Sequence, residues 1–259
     1  MSRPLLSRRR FLLGGALGAG TMALGGCDLL TQDPTADKLL RVTETLTMQA
    51  QRLLLGRGAL AREFAEADIS PTFRVNGTSK PDSDAYAALL EDGFAGWRLQ
   101  VDGLVRQPRA FSLAALKMMP SRTQITRHDC VEGWSAIGKW TGVPLAEILL
   151  AVGLLPGARY AVFHCADELE ATLDGSGRYY ESIDLVDAFH PQTILAYGMN
   201  GKALSVGHGA PLRLRVERQL GYKQAKYLMR IQLVDSLAGL WGGNGGYWED
   251  RGYEWYAGI

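Results

Sequence analysis

From Trp97 onward the chain runs in short, strand-like stretches punctuated by glycine, proline and Asn-Gly or Asp-Gly pairs. This constrains the fold more than any other feature, because a side-chain period of two builds strands and one of 3.6 builds helices. "WRLQVDGLVRQP" (97–108) alternates around Asp102-Gly103, which predicts a hairpin turning there. "SLAALKMMP" reads as a short helix with Ser112 as N-cap. "SRTQITRHDC" reads as extended, and "PLAEILLAVGL" (144–154) as a buried helix stopped by Gly153. "ARYAVFHCAD" (158–167) reads as a strand, and "SIDLVDAFH" (182–190) as a helix up to Pro191. Asn200-Gly201 turns the chain between two strand-like runs. "PLRLRVERQLGYKQAKYLMRIQLVD" reads as strands joined by a basic loop, and the aromatic, glycine-rich tail from Leu240 as loop. Strict βαβ alternation is absent, and 31 glycines in 259 residues disfavour a helix bundle. The expected fold is mixed α+β, strand-rich, a single domain over residues 70–259 with an N-terminal helical segment.

Residues 36–66 carry a helical pattern, with Leu39, Val42, Leu46 and Leu53 on one stripe, expected to pack the chain onto its body. "SPTFRVNGTSKPDS" (70–83) is punctuated as a loop. Ahead of the helix, "SRRRFLL" (7–13) and an Ala/Gly/Leu run to Gly26 have the layout of a signal peptide. That run spans 16 residues from Phe11, short for a membrane span. Arg8-Arg9 resembles a twin-arginine export signal, and "LGGC" (24–27) resembles a lipobox with Cys27 as the acylated residue. Cleavage by the ordinary signal peptidase, or an uncleaved anchor, is the alternative. The divisions are thus 1–26 leader, 27–69 anchor and helical segment, and 70–259 folded domain. The expected location is periplasmic, on the outer face of the inner membrane. Folded export suits a protein loaded with a cofactor inside the cell.

The formal charge is +1, yet the leader holds four arginines and no acid, so the remaining 24 basic and 27 acidic residues leave −3. Nucleic-acid binding has no electrostatic support. Three cysteines in 259 residues do not make a disulfide framework, although a Cys130–Cys165 bridge stays open.

Cys130 sits in "ITRHDCVEGW" (125–134), between a basic pair and an acid. A thiolate is a nucleophile and a soft-metal ligand, and Arg127 and His128 are placed to lower the thiol's pKa. An inert buried thiol is the plainer alternative. His128, Cys130, His164 and Cys165 are all zinc-ligand types, but their spacing matches no short zinc pattern. His190 before Pro191 reads as a helix end, and Trp134, Trp140 and Trp248 as packing.

Taken together, "RHDCVEGW", "KWTGVPLAEIL", "AVFHCAD" and "HPQTILAYGMNGKAL…HGAPLRLRVERQLGYKQAK" resemble the molybdopterin-binding core of the sulfite oxidase family. The likeness covers residues 70–236 and runs toward the bacterial periplasmic branch that includes methionine sulfoxide reductase catalytic subunits. It implies that Cys130 is the protein's ligand to molybdenum. It implies that Arg213 of Gly-Ala-Pro-x-Arg faces the cofactor, and that the loop Gly221, Tyr222, Lys223, Gln224, Ala225 and Lys226 wraps its phosphate. Charge-assisted donors suit a buried phosphate, whereas a solvated basic turn is the alternative for this loop. Where that branch has threonine and asparagine, this chain has Cys165 and His208, both expected near the cofactor. Arg74 and Asn76 in "TFRVNGT" are candidates for reaching pterin or substrate.

The implied activity is two-electron oxygen-atom transfer on a small oxyanion or sulfoxide, with molybdenum–molybdopterin lacking a nucleotide extension. Arg74, His208 or Arg213 would steer the substrate. Methionine sulfoxide repair and a non-catalytic lipoprotein module on the same fold are the alternatives. No C-x-x-C-H haem signature is present, so a separate haem-containing electron-transfer protein is the expected partner. A monomer is expected, since the dimerising β-sandwich of larger sulfite oxidases is not seen.

Overall fold

The computed structural model describes residues 34–172 and 175–259; the leader and Cys27 lie outside the described residues. The chain divides into two compact units, Met1–Arg52 and Leu53–Ile259. Helix α1 (Pro34–Leu55) is shorter than the pattern over 36–66 predicts. It stops where Gly56 takes φ +76°, a left-handed conformation that glycine adopts without steric cost. Val42, Leu46 and Leu53 of the expected stripe are exposed.

The chain beyond Gly56 is extended instead of helical. Gln192 brackets Ala61, its Oε1 accepting from the Ala61 amide at 2.7 Å and its Nε2 donating to the Ala61 carbonyl at 3.0 Å. Glu63 then bridges Thr126, and the Phe64 amide donates to the Ile125 carbonyl at 2.9 Å. Tertiary hydrogen bonds override the local helix propensity of "ALAREFAEA".

The body consists of two five-stranded sheets. The first contains β1 (Arg98–Gly103), β2 (Arg109–Ser112), β5 (Tyr160–Glu168), β6 (Arg178–Asp184) and β10 (Leu228–Val234), in the order β2-β1-β10-β5-β6. Only β1 and β10 run parallel within it. The second contains β3 (Arg122–Asp129), β4 (Ser135–Pro144), β7 (Ile194–Met199) and β8 (Lys202–Ala203) in that order, with β9 (Arg213–Arg215) paired to β7. Four short helices, α2 (Asp84–Glu91), α3 (Leu113–Met118), α4 (Leu145–Val152) and α5 (Leu185–Ala188), complete the described elements apart from 3₁₀ turns. The strand-rich α+β fold expected from the sequence is the fold observed. Ser112 caps α3 by accepting from the Ala115 amide, and Gly153 ends α4 at φ +65°.

Two local expectations are corrected. Residues 182–184 belong to β6, and α5 is a single turn capped by Asp184, whose Oδ1 accepts from the Asp187 amide at 3.0 Å. Tyr179 to Ile183 are all buried and Tyr180 to Asp184 pair with β5, so sheet pairing wins over the helical pattern. Asp102-Gly103 is not the hairpin turn: both residues pair with β10, opposite Gln232 and Leu233, and the chain reverses later, before Arg109.

The larger of two apolar clusters includes Trp97, Leu99, Phe111, Ile148, Phe163, Leu195, Leu214 and Ile231, all buried, and the smaller gathers Trp140, Ile194, Ala196, Met199, Leu204 and Ala210. Each large side chain among them contributes about 1.5–3 kcal/mol on removal from water. Trp97 also donates its indole N–H to the Leu228 carbonyl at 3.1 Å, so its polar edge is satisfied. The inward face of β3 differs: its buried residues are Gln124, Thr126 and His128. That polar face lies directly ahead of Cys130.

Gly103 has φ +83°, and a Cβ there would lie 2.2 Å from the Leu233 carbonyl oxygen. Gly103→Ala is expected to cost about 3 kcal/mol through strain and overpacking, measured by urea unfolding.

Candidate active site

Cys130 occupies the turn that joins β3 to β4. Its amide donates to the Trp134 carbonyl at 2.9 Å, the Gly133 amide donates to the Cys130 carbonyl at 3.0 Å, and Gly133 has φ +85°. The turn presents Cys130 at a cleft of about 170 Å³. Asn76, Gly77 and Thr78 form one part of the lining, Asp167 and Tyr179 another, and Gly221, Tyr222, Gln224 and Lys226 a third. Trp248 and Tyr253 of the tail complete the outer part beside Val131, Glu132 and Leu169.

The loop is held close because residue 221 is glycine: a Cβ there would fall 2.5 Å from His128 Nε2. Lys226 donates to the carbonyls of Asn76 (2.7 Å), Gly207 (3.1 Å) and Thr78. It thereby pins the Asn76–Thr78 segment into the cleft wall. Burial, and then Arg213, push its pKa down to about 7.

The electrostatics of Cys130 reverse the expectation. Arg127 is exposed and committed to Asp129 at 2.9 Å. His128 is buried, accepts from Arg215 Nη1 at Nδ1 (3.1 Å), and is held neutral by burial and the neighbouring arginines. The Cys130 thiol is raised, by burial first and by Glu132 as well. The protein alone does not make a thiolate; a bound metal ion would displace the thiol proton outright.

Lys223 is the clearest correction among the loop residues. Its ammonium is fully buried and donates to Glu181 and to Glu249 (2.5 Å), so it is clamped by two carboxylates and does not line the cleft. Arg213 also stands outside the lining, buried, donating to the His208 carbonyl at 3.1 Å and the Gln224 carbonyl at 3.2 Å. Burial and Arg215 lower its pKa to about 9. Arg213 and Arg215 lie 5.0 and 4.3 Å from the Trp140 ring centroid.

The His208 imidazole is bound at both nitrogens, to the Ser205 hydroxyl (2.7 Å) and the Phe73 carbonyl (3.2 Å). Ala225 is buried, its carbonyl accepting from the Leu214 amide at 2.8 Å. Cys165 is buried beside a separate cavity with Tyr86, His164 and Met229, and Arg74 is exposed. Cys130 and Cys165 are both free thiols. Among the described residues no cluster of three or more His, Cys, Asp or Glu can hold a metal ion, which sets the zinc alternative aside. Of the candidates, the structure therefore brings Cys130, Asn76, Gln224 and Lys226 together. Asp167, Thr78 and the tail aromatics join them unforeseen by the sequence.

Asp167 Oδ1, Thr78 Oγ1 and Gln224 Oε1 are buried in the cleft lining without a well-formed hydrogen bond, Asp167 beside the Thr78 hydroxyl and Gln224 beside the His128 ring. An unpaired buried polar group costs about 1–3 kcal/mol, so polar groups that satisfy one another poorly at one cleft fit a polar ligand that supplies better partners. With one thiol at the same cleft, the donor set suits a soft metal carried by a polar heterocycle.

Fold and site thus define a strand-rich α+β protein with one thiol presented at a polar cleft. Residues 88–239 match the family model described as oxidoreductase molybdopterin binding domain, and the chain belongs to that family. It is a molybdopterin-binding oxidoreductase. It is 37% identical over 254 residues to the putative protein-methionine-sulfoxide reductase subunit YedZ1 of Azospira oryzae, covering 98% of this chain and 88% of that one. It is 37% identical over 180 residues to the protein-methionine-sulfoxide reductase catalytic subunit MsrP of Ralstonia nicotianae, covering 66% of this chain and 53% of that one. Among solved structures, the sulfane dehydrogenase SoxCD of Paracoccus pantotrophus superposes with a TM-score of 0.49 at 24% identity, over 55% of this chain and 39% of that one.

Lys223→Met leaves two buried carboxylates facing each other without their cation and is expected to cost about 3–5 kcal/mol in urea unfolding. His190 gives a pH test. It is buried, its Nε2–H donates to the Ala59 carbonyl and its Nδ1 accepts from the Gln192 amide; burial, and then Arg218, lower its folded pKa against the Ala59 bond, which raises it. Below about pH 6.5 the unfolded chain binds a proton that the folded chain refuses, so stability falls with pH by up to about 1.4 kcal/mol per unit. His190→Gln should flatten the stability–pH slope below pH 6.5 by one proton, read from urea unfolding at stepped pH.

Proposed function

We propose that this chain carries out two-electron oxygen-atom transfer on a small oxyanion or sulfoxide outside the cytoplasm, with Cys130 as the protein's ligand to molybdenum. The observation that carries this reading is the Cys130 thiol at a cleft lined by the polar side chains of Asn76, Thr78, Asp167, Gln224 and Lys226. When bound, the molybdenum–pterin group supplies the oxygen-atom and electron transfer, and the protein supplies binding and electrostatics. Cys130 Sγ would hold the metal, and the β3–β4 turn fixes where that sulfur stands. Asn76, Thr78, Asp167 and Gln224 offer polar atoms to the heterocycle, and the positive charge of Lys226, whose N–H bonds go to carbonyls, would attract its phosphate.

Asp167 is pushed up to about 6, mainly by burial, and Lys226 down to about 7. Reduction of an oxygenated substrate to product and water consumes two protons, and Asp167 is a carboxyl placed in the cleft lining to supply one. Electrons pass to or from a separate haem-containing protein. The word "subunit" in the relatives' names supports a companion chain. The Arg8-Arg9 leader and the Cys27 lipobox support export and a lipid anchor at the outer face of the inner membrane. Among the described residues no helix is long and apolar enough to cross a membrane.

A second reading, repair of methionine sulfoxide, is favoured by the names of both relatives. The test of the parent reading is elemental analysis of protein exported by a twin-arginine-competent host that makes the cofactor. About one molybdenum per chain is expected in the wild type, and little or none in Cys130→Ala. No molybdenum in the wild type would leave a non-catalytic lipoprotein module as the remaining account.

A further inference from the structure

The outer wall of the cleft comes from a part of the chain beyond the matched region. The family match ends at residue 239, yet Trp248 and Tyr253 share the cleft lining with Cys130. Their rings stack with centroids 5.2 Å apart at 28°, and Tyr253 meets Tyr222 edge-on at 5.2 Å and 87°. The segment that presents them is braced at successive residues. Glu249 is clamped by Lys223, Asp250 accepts from the amides of Gly242 (3.1 Å) and Asn244 (3.0 Å), and Arg251 pairs with Glu170 at 2.9 Å. Such bracing makes the aromatic pair a fixed surface and not a floppy tail.

The charges at the cleft select against an anionic substrate. Among the described residues the single cation in its lining is Lys226, and all three of its N–H bonds are taken by carbonyls. Glu132 and Asp167 are acids in the same lining. Arg74, the residue expected to steer an oxyanion, is exposed and outside the cleft. A dianion entering past Glu132 meets like charge and no free donor cation. A methyl sulfoxide is neutral, its sulfur and methyl groups are positively polarised, and both sulfur and polarised C–H groups are attracted to aromatic rings.

Resting on the oxygen-transfer reading above, we propose that Trp248 and Tyr253, with Tyr222 beside them, are the specificity wall of this site and select a methyl sulfoxide over an oxyanion. In the reductive direction the S=O bond breaks, sulfur gains two electrons from the haem donor, and two protons convert the released oxygen to water. A shallower groove shares Val131, Tyr222 and Tyr253 with the cleft and continues past Glu254 to Gly258. It gives room for a peptide flanking the sulfoxide, so the source is either a free small sulfoxide or an oxidised methionine in a polypeptide.

The experiment uses the full, molybdenum-loaded chain with a reduced dye as electron donor. Dimethyl sulfoxide, an unfolded polypeptide with oxidised methionines, and chlorate serve as acceptors. Wild type should prefer the sulfoxides. Tyr253→Ala and Trp248→Ala should lower the sulfoxide-to-chlorate ratio of kcat/KM about tenfold, chiefly through KM, at unchanged molybdenum content. Trp248→Phe should restore most of that ratio, and Tyr253→Arg should shift it toward chlorate. If Trp248→Ala fails to fold, the half-exposed Tyr253 variants carry the test. A lower KM for the polypeptide assigns the source to protein, and a lower KM for dimethyl sulfoxide assigns it to small molecules; either supports the wall. Loaded variants with an unchanged ratio, or a loaded wild type that prefers chlorate, overturn this inference alone. A wild type without molybdenum overturns the parent reading and this one with it.

Discussion

The buried cluster of Lys223 between Glu181 and Glu249 is the contact on which the geometry of the cleft depends. Its three members come from β6, the loop after β9, and the tail, so one charge cluster fixes three separate segments of the cleft wall. The two carboxylates and one ammonium are buried together, with Glu181 driven well up by burial and by Glu249. Glu181 Oε2 and Glu249 Oε2 lack partners, which suits a proton held on one carboxyl so that the cluster approaches neutrality. Such a cluster contributes less to net stability than apolar packing of equal volume would. What it adds is a joint between three segments, since breaking any one contact leaves a buried charge uncompensated.

From that anchor the rest of the cleft follows by close approach. Lys223 sets the loop; Gly221 brings it against His128; Arg215 holds the other nitrogen of His128 and is itself fixed by Glu217 at 2.6 Å. Cys130 stands two residues further along the same strand, in a turn whose shape is set by Gly133. The thiol's position is therefore determined by backbone and buried ion pairs, with the Val131 and Glu132 amides and the Glu132 carboxyl beside the sulfur. A fixed backbone is what a metal ligand needs, since its sulfur must already stand in place.

Much of this was legible in the sequence, and the failures have a physical pattern. Cys130 was readable because its motif is local, and the strand-rich fold because a period of two is local. Asp102-Gly103 misled because the same pair that makes a tight turn also suits a left-handed glycine approaching a neighbouring strand, here Leu233. The helix over 36–66 was overextended because Gln192, far along the chain, claims the backbone of Ala61. The partners of Lys223 are likewise remote in sequence. A lysine in a basic loop can meet phosphate or carboxylate, and its carboxylates lie 42 and 26 positions away. Asp167 and the tail aromatics were missed because nothing near them in sequence marks a cleft; only the sheet and the braced tail bring them to Cys130.

The distribution of charge with depth ties the cofactor to the substrate. Arg213, Arg215 and Lys226 are buried, yet only Arg215 has a carboxylate partner of its own; Arg213 and Lys226 are satisfied by carbonyl oxygens. Carbonyl dipoles offset a buried cation only in part, which is why both groups have lowered pKa values. An anionic group bound near them would raise those pKa values and relieve the strain of burying two cations. A molybdopterin, with its phosphate and sulfur ligands, is such a group. The mouth has the opposite character, with Glu132 and aromatic faces beside the thiol. A site that is electropositive inside and acidic outside holds an anion permanently and admits neutral molecules in turn. On this view the protein divides the work by depth: buried cations retain the cofactor, and the tail decides which oxygen donor reaches it.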